Sequence, residues 1–172
     1  MIQEIWLGDC LELMSNIADK SVDAIICDLP FGVTANHWDS VIPAKPLWEH
    51  YLRIIKDKGA IVLFANEKFS YHLISSAEKY FRYKWYWVKN TGTNFFHAKR
   101  MPIRHVEEIL VFSKSTPTNY YPQITDGHVP TNSGKGRNTG NCYAGKSKVD
   151  YEGGITTRFP KNILEFDKVH NY

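Results

Sequence analysis

Cysteine is scarce: Cys10, Cys27 and Cys142 are the only three in 172 residues. They are too few and too scattered for a disulfide framework or a zinc site, and no metal is expected. No apolar stretch approaches the roughly 20 residues of a membrane span. The opening MIQEIWLGD lacks the charged-then-apolar pattern of a signal peptide, so the expected location is the cytoplasm, away from any membrane. No internal repeat is visible, and neither sign of charge dominates, the net charge being +3. Disorder is excluded by 43% hydrophobic against 23% charged residues. What the chain has in quantity is aromatic side chains, 14% of all residues. They fill a core well, and they also suit a surface that stacks on flat ligands such as nucleic-acid bases.

Charge is unevenly spread. Residues 1–81 hold 7 basic and 11 acidic side chains, whereas residues 82–114 hold 7 basic against 2 acidic and residues 115–172 hold 7 against 5. A basic middle after an acidic front suggests an anionic partner, with a solvated charged face as the bland alternative.

Strand and helix patterns alternate along the first half. Residues 2–7 read as a short strand, 10–18 have helical spacing through Leu11, Met14 and Ile17, and 21–27 form a continuous apolar run of buried-strand type. Residues 44–57 return to helical spacing, Gly59 interrupts it, 60–64 read as a second buried strand and 66–79 as another helix. This order predicts an α/β fold with a parallel sheet covered by helices. Strand-like runs follow at 83–88 and 107–112, and from about Ser115 to residue 158 the chain is polar, rich in Thr, Asn, Gly and Ser, and without a period. Such inserts are usually functional.

The segment Asp28-Leu29-Pro30-Phe31-Gly32 follows directly on the first buried strand. In parallel α/β sheets ligands bind beyond the carboxyl ends of strands. An exocyclic amine on a base is a poor nucleophile because its lone pair is delocalised into the ring. A carboxylate (Asp28) and a backbone carbonyl (Leu29) accepting its two N–H bonds would localise that lone pair. Pro30 would stiffen the turn and the ring of Phe31 would hold the base. The amine is buried in a duplex, so the base must first be extruded.

These residues resemble the fourth motif of the amino-methyltransferases, Asp/Asn/Ser-Pro-Pro-Tyr/Phe, with Leu29 in place of the first proline. The opening Leu7-Gly-Asp-Cys-Leu-Glu-Leu-Met14 and the following 21–28 resemble the front of permuted, β-type DNA methyltransferases. The stretches 85–90, 94–104 and 107–112 are similar to that family's downstream block, and the resemblance covers about residues 3–114. It implies a Rossmann-like methyltransferase sheet, partial and in circularly permuted order, and S-adenosylmethionine as cofactor. Asp9 and Cys10 would then stand beside the cofactor's adenine ring, with Asp28 also among the cofactor-binding residues, while Asp9 equally reads as a helix N-cap. The acidic Asp28 favours adenine N6 as the target.

The family's Phe-x-Gly-x-Gly turn and its His-Pro-Thr-Gln-Lys-Pro segment are missing; Gly134-Lys-Gly136 follows no strand and opens no helix. Three explanations stay open: a longer enzyme of which this is part, a second chain supplying the other half, or loss of activity. Methyltransferases of protein glutamine or ribosomal guanine place their glycine turn well upstream of a similar loop, and only 27 residues precede Asp28 here.

The expected division is a catalytic core at 1–114, a target-recognition insert at 115–160 and a return strand at 161–172. The expected activity is site-specific DNA adenine-N6 methylation of phage or restriction–modification type. Lys89, Asn90, Lys99, Arg100 and Arg104 would contact DNA, with Lys135 and Arg137 of the insert. The alternatives are an inactive DNA-binding derivative and, more distantly, an RNA adenine or cytosine-N4 methyltransferase.

Overall fold

The computed structural model describes residues 3–34, 36–116, 119–133 and 153–166. By internal contacts the chain divides into two compact units, Met1–Tyr120 with Asn162–Tyr172, and Tyr121–Lys161.

The first unit is a five-stranded sheet in the order β1-β2-β4-β3-β5, formed by β1 (Val22–Asp28), β2 (Ile55–Ala65), β3 (Phe81–Thr93), β4 (Arg104–Phe112) and β5 (Ile163–Glu165). Three helices, α1 (Cys10–Met14), α2 (Ala44–Ile54) and α3 (Glu67–Ser76), precede or link the first strands. β1 and β2 are parallel, joined through α2 as a crossover requires. The sheet is nevertheless mixed, because β4 enters between β2 and β3 and runs antiparallel to both. The ten residues between β3 and β4 hold only a short 3-10 turn, Phe95–His97. With no crossover helix, two adjacent strands can only pair antiparallel.

Helical spacing decides which side chains are buried. In α2, Leu47, Trp48, Tyr51 and Ile54 form one apolar face, and in α3 Phe69 and Leu73 do the same. These faces meet Ile61, Leu63, Ala65, Leu110 and Phe112 of β2 and β4 in a single core, where Trp48 and Phe112 stack with ring centroids 4.8 Å apart. The indole N–H of Trp48 donates to Ser76 Oγ at 2.8 Å, so the ring is buried without an orphaned donor. In β1 it is Ile25 and Cys27 that turn to this core, whereas Ala24, Ile26 and Asp28 lie on the opposite, exposed face.

Several expected boundaries move. Residues 3–7 form no strand: Ile5 and Leu7 are fully exposed and no sheet edge receives them. The first helix stops at Met14, short of residue 18. Gly59 lies inside β2, not between elements, and the strand begins at Ile55 straight after α2. At Gly59 a Cβ would stand 2.7 Å from both Asp23 O and an Ile55 side-chain carbon, within a register shift that sets Val22 against Ile55 and Ala24 against Ala60. Glycine here marks a close approach inside an irregular strand and not a break. Both later strands are longer than their apolar runs, since β3 begins at Phe81 and β4 at Arg104.

The second unit is irregular. An isolated antiparallel bridge joins Thr125 and Arg158. Around it, Asp126 accepts from the Thr156 hydroxyl and from Gly127 N–H, and the Arg158 guanidinium donates to the carbonyls of Val129, Ile155 and Thr157. The Thr156 hydroxyl first, then the Gly127 N–H, hold the Asp126 carboxyl below its ordinary value.

Candidate active site

Asp28 ends β1, and its partner across the sheet is Phe64 of β2. At that carboxyl end, Asp28, Leu29, Pro30 and Phe31 line a cavity of about 180 Å³ with Val33, Thr34, Trp38 and Asp39. The Asp28 side chain is exposed. Leu29 is 6% exposed and belongs to the core, so its side chain anchors the turn while its backbone stays with the loop. Phe31 is half-buried and stacks on Phe69 of α3, ring centroids 4.8 Å apart and planes at 30°. Packing against α3 therefore fixes one face of this ring.

The loop that follows has no regular structure among its described residues, yet its far end organises it. Asp39 is 8% exposed, and its carboxylate accepts the backbone N–H groups of Gly32 (2.8 Å), Val33 (2.9 Å) and Thr34 (2.6 Å). The Thr34 hydroxyl and these three donors pull its pKa down to about 2, as hydrogen bonds to the charged form must. Gly32 has φ +68°, and a Cβ there would stand 2.8 Å from Val41 Cγ2. Both facts favour glycine at the point where the chain turns to present three consecutive N–H groups. Asp39 N–H donates to Asn36 O at 3.0 Å, closing a turn that carries Trp38 at the cavity, 71% exposed. The available signal was a glycine followed seven residues later by an aspartate in a loop without periodicity. That spacing alone does not specify a cradle.

Asp9 caps α1, accepting Leu11 N–H at 2.7 Å. The cap uses Oδ1, and Oδ2 has no partner among the described residues. Cys10 follows it, and its thiol pKa is raised by burial first, then by the charge of Asp9 and by Cys27.

The basic residues divide into two kinds. Lys89 pairs with Glu107, and Arg104 donates through Nε and Nη2 to the two carboxylate oxygens of Glu67, each at 3.1 Å. Asn90 donates to Phe166 O at 2.8 Å. Lys99 and Arg100 are exposed and form no ion pair among the described residues. Lys135, Arg137 and the Gly134-Lys-Gly136 stretch lie outside the described residues. Among the described residues no helix is long and apolar enough to cross a membrane, and no three His, Cys, Asp or Glu side chains are grouped to hold a metal.

No protein-family model matches the chain, and no curated protein matches it. Solved structures do. The PvuII DNA methyltransferase, described as cytosine-N4-specific, matches 97% of this chain at 14% identity and a TM-score of 0.53. The complex of M1.HpyAVI with SAM matches 66% at 21% identity and a TM-score of 0.47. The chain spans 58% and 55% of the length of these two structures. The fold is a Rossmann-like methyltransferase sheet.

Proposed function

We propose that this chain is the catalytic-loop and target-recognition part of an S-adenosylmethionine-dependent DNA amino-methyltransferase acting on adenine N6. The observation that carries the reading is the placement of Asp28, Leu29, Pro30 and Phe31 around one cavity at the carboxyl end of a strand, in a sheet of methyltransferase type.

The exposed carboxylate of Asp28 accepts one N–H of the extruded base's amine, and the Leu29 carbonyl accepts the other. Both acceptors draw the lone pair out of the ring and offset the positive charge that develops on nitrogen as the N–C bond forms. The methyl–sulfur bond would break to leave a neutral thioether, and the surplus N–H proton is lost to water past the exposed Asp28 carboxylate. This acts on the transition state more than on ground-state binding. Phe31, seated on Phe69, and Trp38 at the same cavity limit where a flat base can lie.

The cofactor supplies an electrophilic methyl group when bound. The residues present suit its adenosine end: Asp9 keeps one carboxylate oxygen for a ring amine, with Cys10 next to it at the start of α1. The methionine end falls to residues of the methyltransferase fold beyond those described, on this chain or a second one. Duplex DNA is the proposed substrate, met by the exposed Lys99 and Arg100. Restriction–modification or phage methylation is the matching biological setting.

The test is methyl transfer from tritiated cofactor to duplex DNA by the complete or complemented enzyme, followed by digestion to nucleosides. Label in N6-methyladenine is the expected result. Label in N4-methylcytosine overturns the choice of base, and no label in DNA overturns the reading.

A further inference from the structure

The β3–β4 loop leaves the sheet at the same end as the Asp28 loop. Asp28 is level with Phe64, Ala65 with Glu108, and Val88 with Val106, so residues 94–103 lie beyond the strand ends that carry the candidate site. Near the tip of this loop stands Phe96, 102% exposed, with Phe95 beside it at 56%. A phenylalanine ring held wholly in water gains nothing for the fold.

The tip is nonetheless ordered by its own backbone. Asn94 takes φ +75°. His97 N–H donates to Asn94 O at 3.1 Å, Ala98 N–H to Phe95 O at 3.1 Å, Arg100 N–H to His97 O at 2.8 Å and Met101 N–H to His97 O at 3.0 Å. A short rigid turn thus presents the ring outward. Lys99 and Arg100 follow within four residues, and no acidic residue occurs from Asn90 to Val106. An exposed aromatic set among uncompensated cations matches a polyanion with stackable faces, which is nucleic acid.

Resting on the reading above, we propose that Phe96 is a wedge that enters the base stack of duplex DNA and fills the place a base leaves when it is extruded towards Asp28. Apolar side chains inserted between base steps are a known way to offset unstacking, and extrusion opens such a gap next to the enzyme. Lys99 and Arg100 hold the flanking phosphates while the ring stacks.

The test uses the whole chain and two duplexes of one sequence, one intact and one with an abasic site in place of a base, which is a ready-made gap. Binding is read by fluorescence anisotropy. The wild-type chain is expected to prefer the abasic duplex about tenfold, in line with the stacking of one aromatic ring. Phe96→Ala is expected to lose that preference while keeping its affinity for the intact duplex within about twofold. Phe96→Trp is expected to retain it. The ring is in solvent, so its removal leaves the fold intact, which a thermal melt of the variant checks. Equal binding of both duplexes by the wild type, or a preference that survives Phe96→Ala, overturns the wedge and leaves DNA recognition standing. Failure to bind either duplex overturns both.

Discussion

If the chain meets DNA as proposed, the salt dependence of binding separates the cations of residues 89–104, which are equivalent by composition and not by structure. Each phosphate neutralised by a lysine or arginine adds about −0.9 to the slope of log affinity against log salt. Lys99 and Arg100 are exposed and free of carboxylates among the described residues, so each qualifies as a contact of this kind. Lys89 is already neutralised by Glu107, with both side chains largely covered (17% and 23% exposed), and Arg104 is held by both oxygens of Glu67. Lys99→Ala and Arg100→Ala should therefore each flatten the slope by about 0.9, and the double variant by about 1.8. Between about 50 and about 200 mM salt, one contact corresponds to roughly a 3.5-fold change in affinity and two to about twelvefold. Lys89→Ala should leave the slope nearly unchanged. Its cost appears in stability instead, because Glu107 is left partly buried without a partner. Anisotropy titrations of a labelled duplex across that range, with circular dichroism to confirm folding, measure both quantities. A Lys89→Ala variant that folds and flattens the slope as much as Lys99→Ala would refute the assignment of the cations.

Other perturbations probe the loop and the core. Asp28→Ala in the complete or complemented enzyme should lower methyl transfer by several orders of magnitude while DNA affinity changes less than about twofold, since the carboxylate acts on the transition state; substantial turnover in the tritiated-methyl assay contradicts this. The Asp39 carboxyl titrates at about 2 in the fold against an ordinary 3.8. Its depressed pKa means that its contribution is complete above about pH 4 and lost as pH falls towards 2. Protection of the Gly32, Val33 and Thr34 amides, measured as exchange relative to the intrinsic rate at each pH, should fall across that window, and Asp39→Asn should remove that change in protection. In the core, Phe112→Ala deletes a ring that is fully buried against Trp48 and Phe81. It should cost about 3–5 kcal/mol in urea unfolding, and a loss below about 1 kcal/mol would mean that the packing described around β4 is wrong.

What the sequence made legible is local. Apolar runs marked the hearts of β1, β2 and β4, and the helical spacing of Leu47, Tyr51 and Ile54 marked α2, because periodicity reports directly which side chains a neighbour covers. The Asp28–Phe31 segment stood out for the same reason, a short run of chemically specific types directly after a strand. Direction in the sheet was not legible in the same way. The alternation of strands and helices in residues 1–80 suggested a parallel sheet, and only the missing crossover between β3 and β4 makes the middle antiparallel. Residues 3–7 show the converse failure. Ile5, Trp6 and Leu7 carry strand-type side chains, but a strand exists only where an edge receives it, and they meet none.

The harder part of the site to read is the part that shapes it. Lys89 and Glu107 are 18 residues apart, and Arg104 and Glu67 are 37 apart. Which cations remain free for an anionic partner therefore depends on strand register and on the position of α3, neither of which composition encodes. The Asp39 cradle is more elusive still, since three of its four members contribute backbone N–H groups that no side chain advertises. Yet this cradle ties Gly32, Val33 and Thr34 to Asp39, and Val33, Thr34 and Asp39 line the same cavity as Asp28. On the proposed reading the motif supplies the atoms that meet the amine, while an unremarked aspartate eight residues beyond Phe31 holds the loop around them through three backbone N–H groups. Substitution of Asp39 should accordingly disturb the capture of the base more than the chemistry at Asp28. In a methyl-transfer assay that is a rise in KM larger than the fall in kcat, the reverse of the pattern expected for Asp28→Ala.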